Sequence, residues 1–269
     1  MNHDIICTTV SNNYLELTLN WIENLKKFKL EDKIVVFCID EQIYNALKNI
    51  VKCFLINKNL DIKSRGDWIE AEKAFKCLAP LNYVKEAKCN LLLSDVDVVF
   101  LKDPLHEFKK RSIGVDIVTT SDKRYNVFNL KRQKNKIITV DNEIIDWGYT
   151  DQYKFGEING SVGYFNYSES SVKSIEKIFS CKNIKTYPKN IENGAAQTIF
   201  NKELKKVNLK VKILSVFEFA NGSILNVDYL KKKALDSAIG LHYNFCNPDP
   251  YIGYNEKIDK IKKDGYWFI

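Results

Sequence analysis

The chain has 269 residues, 45% of them apolar and 12% aromatic, which is ample for a packed core in one large domain. No run of about 18 apolar residues exists to span a bilayer, and Met1-Asn2-His3-Asp4 does not open a secretory leader, so no membrane span and a cytoplasmic location are expected. The net charge of +7 raises nucleic acid as a partner, but the lysines are spread along amphipathic segments without a nucleic-acid motif, and an anionic substrate explains the excess as well.

Short β-rich runs recur along the chain: Ile5-Ile6-Cys7-Thr8, Ile34-Val35-Val36-Phe37-Cys38-Ile39, Cys53-Phe54-Leu55-Ile56, Leu91-Leu92-Leu93, Ile117-Val118-Thr119, Val162-Gly163-Tyr164-Phe165 and Val211-Lys212-Ile213-Leu214. Helical spacing falls between several of them. Leu15, Leu19 and Ile22 follow a cap expected at Asn12 or Asn13, and Trp68, Ala71, Phe75, Leu78 and Ala79 predict a second helix that Pro80 should end or kink. Continuous apolar strands alternating with helices predict an α/β fold whose mainly parallel central sheet is flanked by helices on both faces. Seven scattered cysteines with no Cys-x-x-Cys pair read as reduced core thiols. The compositional break at Lys123 to Asn142 reads as a solvated basic surface or as a lid near a site.

Chemistry concentrates in Leu91-Leu92-Leu93-Ser94-Asp95-Val96-Asp97-Val98-Val99-Phe100. Two carboxylates in so apolar a setting need a cation, because burying an unpaired charge is expensive. If the run stays extended, residues two apart share a face and both carboxylates address one ion, most simply a hard divalent metal carrying a phosphate ligand. The competing reading makes one aspartate a turn cap and the other a salt-bridge partner.

The stretch from Leu92 to Pro104 resembles the signature of the nucleotide-diphospho-sugar transferase family, which includes plant arabinosyl-, xylosyl- and galactosyltransferases of the GT-A fold. The similarity extends over nearly the whole chain. Ile158-Asn159-Gly160-Ser161-Val162-Gly163-Tyr164-Phe165 resembles the family's Asn-x-Gly strand, and His242-Tyr243-Asn244, Gly253, Lys257 and Gly265-Tyr266-Trp267 resemble its closing pattern. The resemblance implies one GT-A-like (Rossmann-like) domain over 1–269, with a nucleotide-binding half at 1–104 and an acceptor half plus metal- and diphosphate-binding segment at 105–269. It implies Mn2+ or Mg2+ on Asp95, Asp97 and His242, with Lys257, Lys76 and Gly253 at the diphosphate of a UDP-sugar donor. Thr8, Thr9, Asn12 and Asp40 would meet base and ribose, with helix-cap or turn roles as their rivals.

Transfer to an acceptor hydroxyl with retention of configuration, Gln197 at the reacting carbon and Asp122 on a sugar or acceptor hydroxyl complete the implied activity. One departure stands out: Ala196 occupies the place where the family usually has aspartate before Gln197. That leaves a catalytically weak or inactive UDP-sugar- and metal-binding module as the alternative. A nucleotidyltransferase fits less well, because Cys7-Thr8-Thr9-Val10-Ser11-Asn12-Asn13 lacks a glycine-rich phosphate loop.

Overall fold

A computed structural model describes residues 3–56, 73–121, 139–140, 143–144, 158–180, 195–215, 217–225, 228–244 and 254–269. Its strands in chain order are β1 (Asp4–Val10), β2 (Ile34–Cys38), β3 (Lys52–Leu55), β4 (Asn90–Ser94), β5 (Val98–Phe100), β6 (Ile117–Ser121), β7 (Thr139–Val140), β8 (Glu143–Ile144), β9 (Ile158–Phe165), β10 (Val211–Leu214), β11 (Phe219–Asn221) and β12 (Gly240–His242). The helices are α1 (Leu15–Lys26), α2 (Glu41–Leu47), α3 (Ala79–Ala87), α4 (Pro104–Arg111), α5 (Glu169–Phe179), α6 (Ala195–Glu203), α7 (Gly222–Leu225), α8 (Asp228–Ser237) and α9 (Tyr254–Lys263).

The main sheet has the order β10-β6-β9-β4-β1-β2-β3. All its neighbouring pairs are parallel except those of β9, which runs antiparallel to β4 and β6. The expected mainly parallel α/β sheet is therefore present, and its strands are apolar on both sides for a physical reason. Ile6, Val36 and Cys38 join a core with α1, α2 and α4, whereas Ile5, Cys7, Val35 and Phe37 join a second core with α3, α5 and α6. A smaller sheet, β11-β12-β5, packs on the first of these faces. Gly240 in β12 is required there, since a Cβ would lie 2.8 Å from Phe219 Cε2.

Two local expectations change. Asn12–Tyr14 forms a 3-10 turn leading into α1, closed by Tyr14 N–H to Ser11 O at 2.9 Å, and the N-cap position of α1 falls to Tyr14, so neither asparagine side chain caps the helix. Pro80 does not end its helix. It stands in the first turn of α3, where a missing N–H is harmless, after a wide π-type turn at Lys73–Leu78. Trp68, Ala71 and nearly all of the basic segment from Lys123 to Asn142 lie outside the described residues. Cys7, Cys38, Cys53, Cys77 and Cys89 form no disulfide among the described residues, and Cys181 and Cys246 lie outside that set.

At the amino end of β1, Asp4 accepts hydrogen bonds from the Tyr164 hydroxyl (2.6 Å) and Asn90 Nδ2 (2.8 Å) and pairs with Lys109 (2.7 Å). Burial pushes this carboxyl up, but the hydrogen bonds from Lys109, Tyr164 and Asn90 outweigh it and leave it below its ordinary value. A carboxylate depressed in the folded state contributes stability that is present above its unfolded value, about 3.9, and is lost as pH falls through the folded value. Asp4→Asn is thus expected to lower stability near neutral pH by about 1 kcal/mol, given the half-exposed Lys109, and to matter less once the pH has fallen through the folded value. Thermal melts across that range check this; an equal loss at both ends would refute the assignment.

Candidate active site

The carboxyl ends of β4, β1 and β2 lie side by side, because the three are parallel neighbours. Ligands gather at this kind of edge in α/β sheets. Thr8 is buried within β1 and Thr9 follows it toward the same end. Asp40, after β2, caps α2 by accepting from Ile43 N–H at 2.9 Å, and its other oxygen accepts Asn12 N–H at 2.8 Å. Its capping role is thus realised, and it fixes the turn after β1 as well.

Asp95 and Asp97 do not share the face of one strand. They occupy the turn between β4 and β5, which belong to different sheets. The turn is held from three sides. Asp95 N–H donates to Ser161 O (2.7 Å), Tyr243 N–H donates to Asp97 O (2.9 Å), and the Ser94 hydroxyl donates to Asp95 O (2.9 Å). Because β5 pairs antiparallel with β12, His242 is opposite Val98 and so arrives next to Asp97. One carboxylate oxygen from each aspartate and one imidazole nitrogen lie within 4.8 Å of one another.

Asp97 is 6% exposed, and its Oδ1 lies 3.3 Å from His242 Nε2 yet has no hydrogen-bond partner among the described residues. Lys257, from α9, reaches Asp97 Oδ2 at 2.5 Å. Burial pushes the Asp97 carboxyl up; the charges of Lys257 and then His242 outweigh this and hold it well below the usual carboxylate range. Lys257 is affected in the opposite sense, burial pulling it down and Asp97 more than restoring it, so it is raised. Lys76 sits on Asp95 at 2.8 Å from Oδ1 and 3.2 Å from Oδ2. A buried carboxylate oxygen without a hydrogen bond among the described residues, beside an imidazole and a second carboxylate, is a donor set suited to Mn2+ or Mg2+.

Gln197 approaches from the β9 side. Its Oε1 accepts Gly160 N–H at 2.9 Å, and one turn later Asn201 holds both Ile158 N–H and Ile158 O at 2.9 Å. These backbone groups are open because β9 bulges: its register against β6 jumps between Thr119 and Thr120, from Gly163 to Asn159. Glycine at 160 gives α6 room to come this close, since a Cβ would lie 3.1 Å from that of Gln197 and push the helix back by a few tenths of an ångström. The same bulge presents Ser161 O to Asp95. Ala196 is in the first turn of α6. Asp122 and Gly253 lie outside the described residues.

Sequence reasoning missed the polar face of α1. Trp21 is fully buried and donates its indole N–H to Ser94 Oγ (3.2 Å), while Asn24 clamps Phe100 through N–H (2.7 Å) and C=O (3.0 Å). Asn20 likewise holds Tyr266 O and Phe268 N–H of the C-terminal segment. The available signal was two asparagines four apart within an otherwise apolar stripe. Tyr14 was also missed; it is 40% exposed and edge-on to Tyr254 at 5.7 Å between ring centres.

Among known proteins, the sequence model described as nucleotide-diphospho-sugar transferase matches residues 29–260. No curated protein sequence matches the chain significantly. Similar solved structures include the bifunctional glycosyltransferase WbbM (TM-score 0.56, 13% identity, 97% of this chain and 50% of that one) and an active-site mutant of LgtC (0.53, 16%, 99% and 96%). Glycosyltransferase GlyE of Streptococcus pneumoniae is a third (0.51, 12%, 100% and 65%). The chain therefore spans about half the length of WbbM and nearly all of LgtC. At these identities the likeness is one of fold.

Proposed function

The chain belongs to the nucleotide-diphospho-sugar transferase family, and we propose that it moves a sugar from a UDP-sugar to an acceptor hydroxyl with a divalent cation as cofactor. As a family member it is a glycosyltransferase that uses nucleotide-sugar donors. The observation that carries the finer reading is the meeting of Asp95, Asp97 and His242, with one buried Asp97 oxygen that faces the imidazole and has no hydrogen bond among the described residues. Asp95, Asp97 and His242 would hold Mn2+ or Mg2+, which when bound supplies Lewis-acid stabilisation of the charge on the departing nucleotide.

The remaining roles belong to the chain's own groups. Lys257 and Lys76 offset diphosphate charge in a partly desolvated site, where fixed cations act strongly. Thr8, Thr9, Asn12 and Asp40 take base and ribose at adjacent strand ends, and the exposed ring of Tyr14 offers the base an apolar face. Gly253 allows backbone close to the diphosphate. Gln197, anchored to the β9 bulge, stands at the reacting carbon of a retaining transfer, and Asp122 takes a sugar or acceptor hydroxyl. Residues 1–104 form the nucleotide half and 105–269 the acceptor half with the closing metal- and diphosphate-binding segment. No helix among the described residues is long and apolar enough to cross a membrane.

Calorimetric titration of UDP, GDP and CDP, each with Mn2+, Mg2+ or EDTA, tests this reading. The expected result is cation-dependent binding of UDP in preference to the other two, followed by hydrolysis of one member of a UDP-sugar panel. Preference for GDP or CDP would overturn the UDP assignment, and equal binding in EDTA would overturn the metal requirement.

A further inference from the structure

We propose that Lys257 and Lys76 are built-in counter-ions of the two aspartates, so that the site takes a divalent cation and a nucleotide diphosphate together and takes the cation alone poorly. The inference rests on the donor-site reading above and adds a binding rule to it. Each carboxylate is already matched by its own ammonium, Asp97 by Lys257 at 2.5 Å and Asp95 by Lys76 at 2.8 Å. Two carboxylates against two lysines leave no net negative charge to attract a cation, whatever the charge on His242. Adding a divalent ion alone would set two positive charges beside two fixed ammonium groups, in a pocket where Lys257 is 16% and Asp97 8% exposed at the side chain. Screening by water is weak in such a place.

Geometry makes the same point atom by atom. Lys76 spans both oxygens of Asp95, at 2.8 and 3.2 Å, so that carboxylate has to be shared or released before it can ligate. Asp97 divides its oxygens: Oδ2 carries Lys257, and Oδ1 faces His242 without a hydrogen-bond partner among the described residues. A diphosphate brings the missing negative charge and gives both ammonium groups a new acceptor. The two lysines then turn from aspartate to phosphate, and the carboxylates become free to ligate. Linkage requires the effect to be reciprocal, so diphosphate and cation tighten each other by one common factor.

The test measures free Mn2+ by electron paramagnetic resonance as protein is titrated, with and without saturating UDP, for wild type, Lys257→Met and Lys76→Met. In the wild type UDP is expected to tighten Mn2+ by roughly tenfold or more, inside the usual coupling range of about 5- to 150-fold. Lys257→Met should bind Mn2+ alone about tenfold more tightly than wild type, bind UDP more weakly, and lose most of the coupling. Lys76→Met should move the same way by less, because its pair is more exposed, and it decides the matter should Lys257→Met fail to fold. Folded variants that bind Mn2+ alone no better than wild type and keep its coupling would overturn this inference and leave the donor site standing. Wild-type protein that binds no Mn2+ even with UDP would overturn the donor-site reading and this inference with it.

Discussion

Asp97→Asn is expected to lower kcat/KM by about three orders of magnitude, near 4 kcal/mol of transition-state stabilisation, in a protein that still folds. The size follows from position. Asp97 is the buried member of the pair, and it is the group on which His242 and Lys257 both converge. Asparagine keeps the shape and one acceptor for Lys257 but removes the charge that Lys257 pairs with and that the proposed divalent cation would bind. Asp95 is about a quarter exposed and pairs with the comparably accessible Lys76, so Asp95→Asn should do less harm. Steady-state kinetics over a Mn2+ series, with a melting curve for each variant, check the pair. A loss under tenfold for Asp97→Asn would remove that carboxylate from the metal-binding set.

Trp21→Ala should cost about 3–5 kcal/mol of folding stability, the usual range for emptying a fully buried aromatic site. For a chain of this size that corresponds to a fall in Tm on the order of 10 °C. The effect should reach the active site, because the indole N–H also holds Ser94 Oγ, whose own proton goes to Asp95 O. Trp21→Phe separates the two contributions: most packing is kept and one hydrogen bond is lost, for about 1 kcal/mol. Denaturant unfolding of both variants measures this. Similar losses for Phe and Ala would show that the hydrogen bond, and not the buried volume, dominates.

Legibility of this fold differs sharply between its two sheets. Each of the seven strands of the main sheet overlaps a β-rich run read from sequence, because a strand covered on both faces is apolar throughout and stands out from its neighbours. The strands of the smaller sheet are three residues long, and too short a run carries no period. The reversed direction of β9 and its bulge left no mark either, since direction depends on which neighbours pair and not on the strand's own residues.

The amino-acid sequence alone was enough to establish the α/β class and the family resemblance, and it singled out Asp95, Asp97, His242 and Lys257 as candidates. Asp95 and Asp97 stand out by local order, because unpaired carboxylates in an apolar run have few physical outlets, whereas His242 and Lys257 follow from the resemblance of the C-terminal segment. How the residues meet was decided only by tertiary structure. Asp95 and Asp97 converge through a turn between two sheets, not along one strand. His242 joins them because β12 pairs with β5 across about 140 positions of chain, and Lys257 and Lys76 arrive from separate helical segments. The buried asparagines of α1 satisfy backbone groups far away in sequence. Long-range pairing of this kind is set by the geometry of packed elements, and local propensity has no access to it.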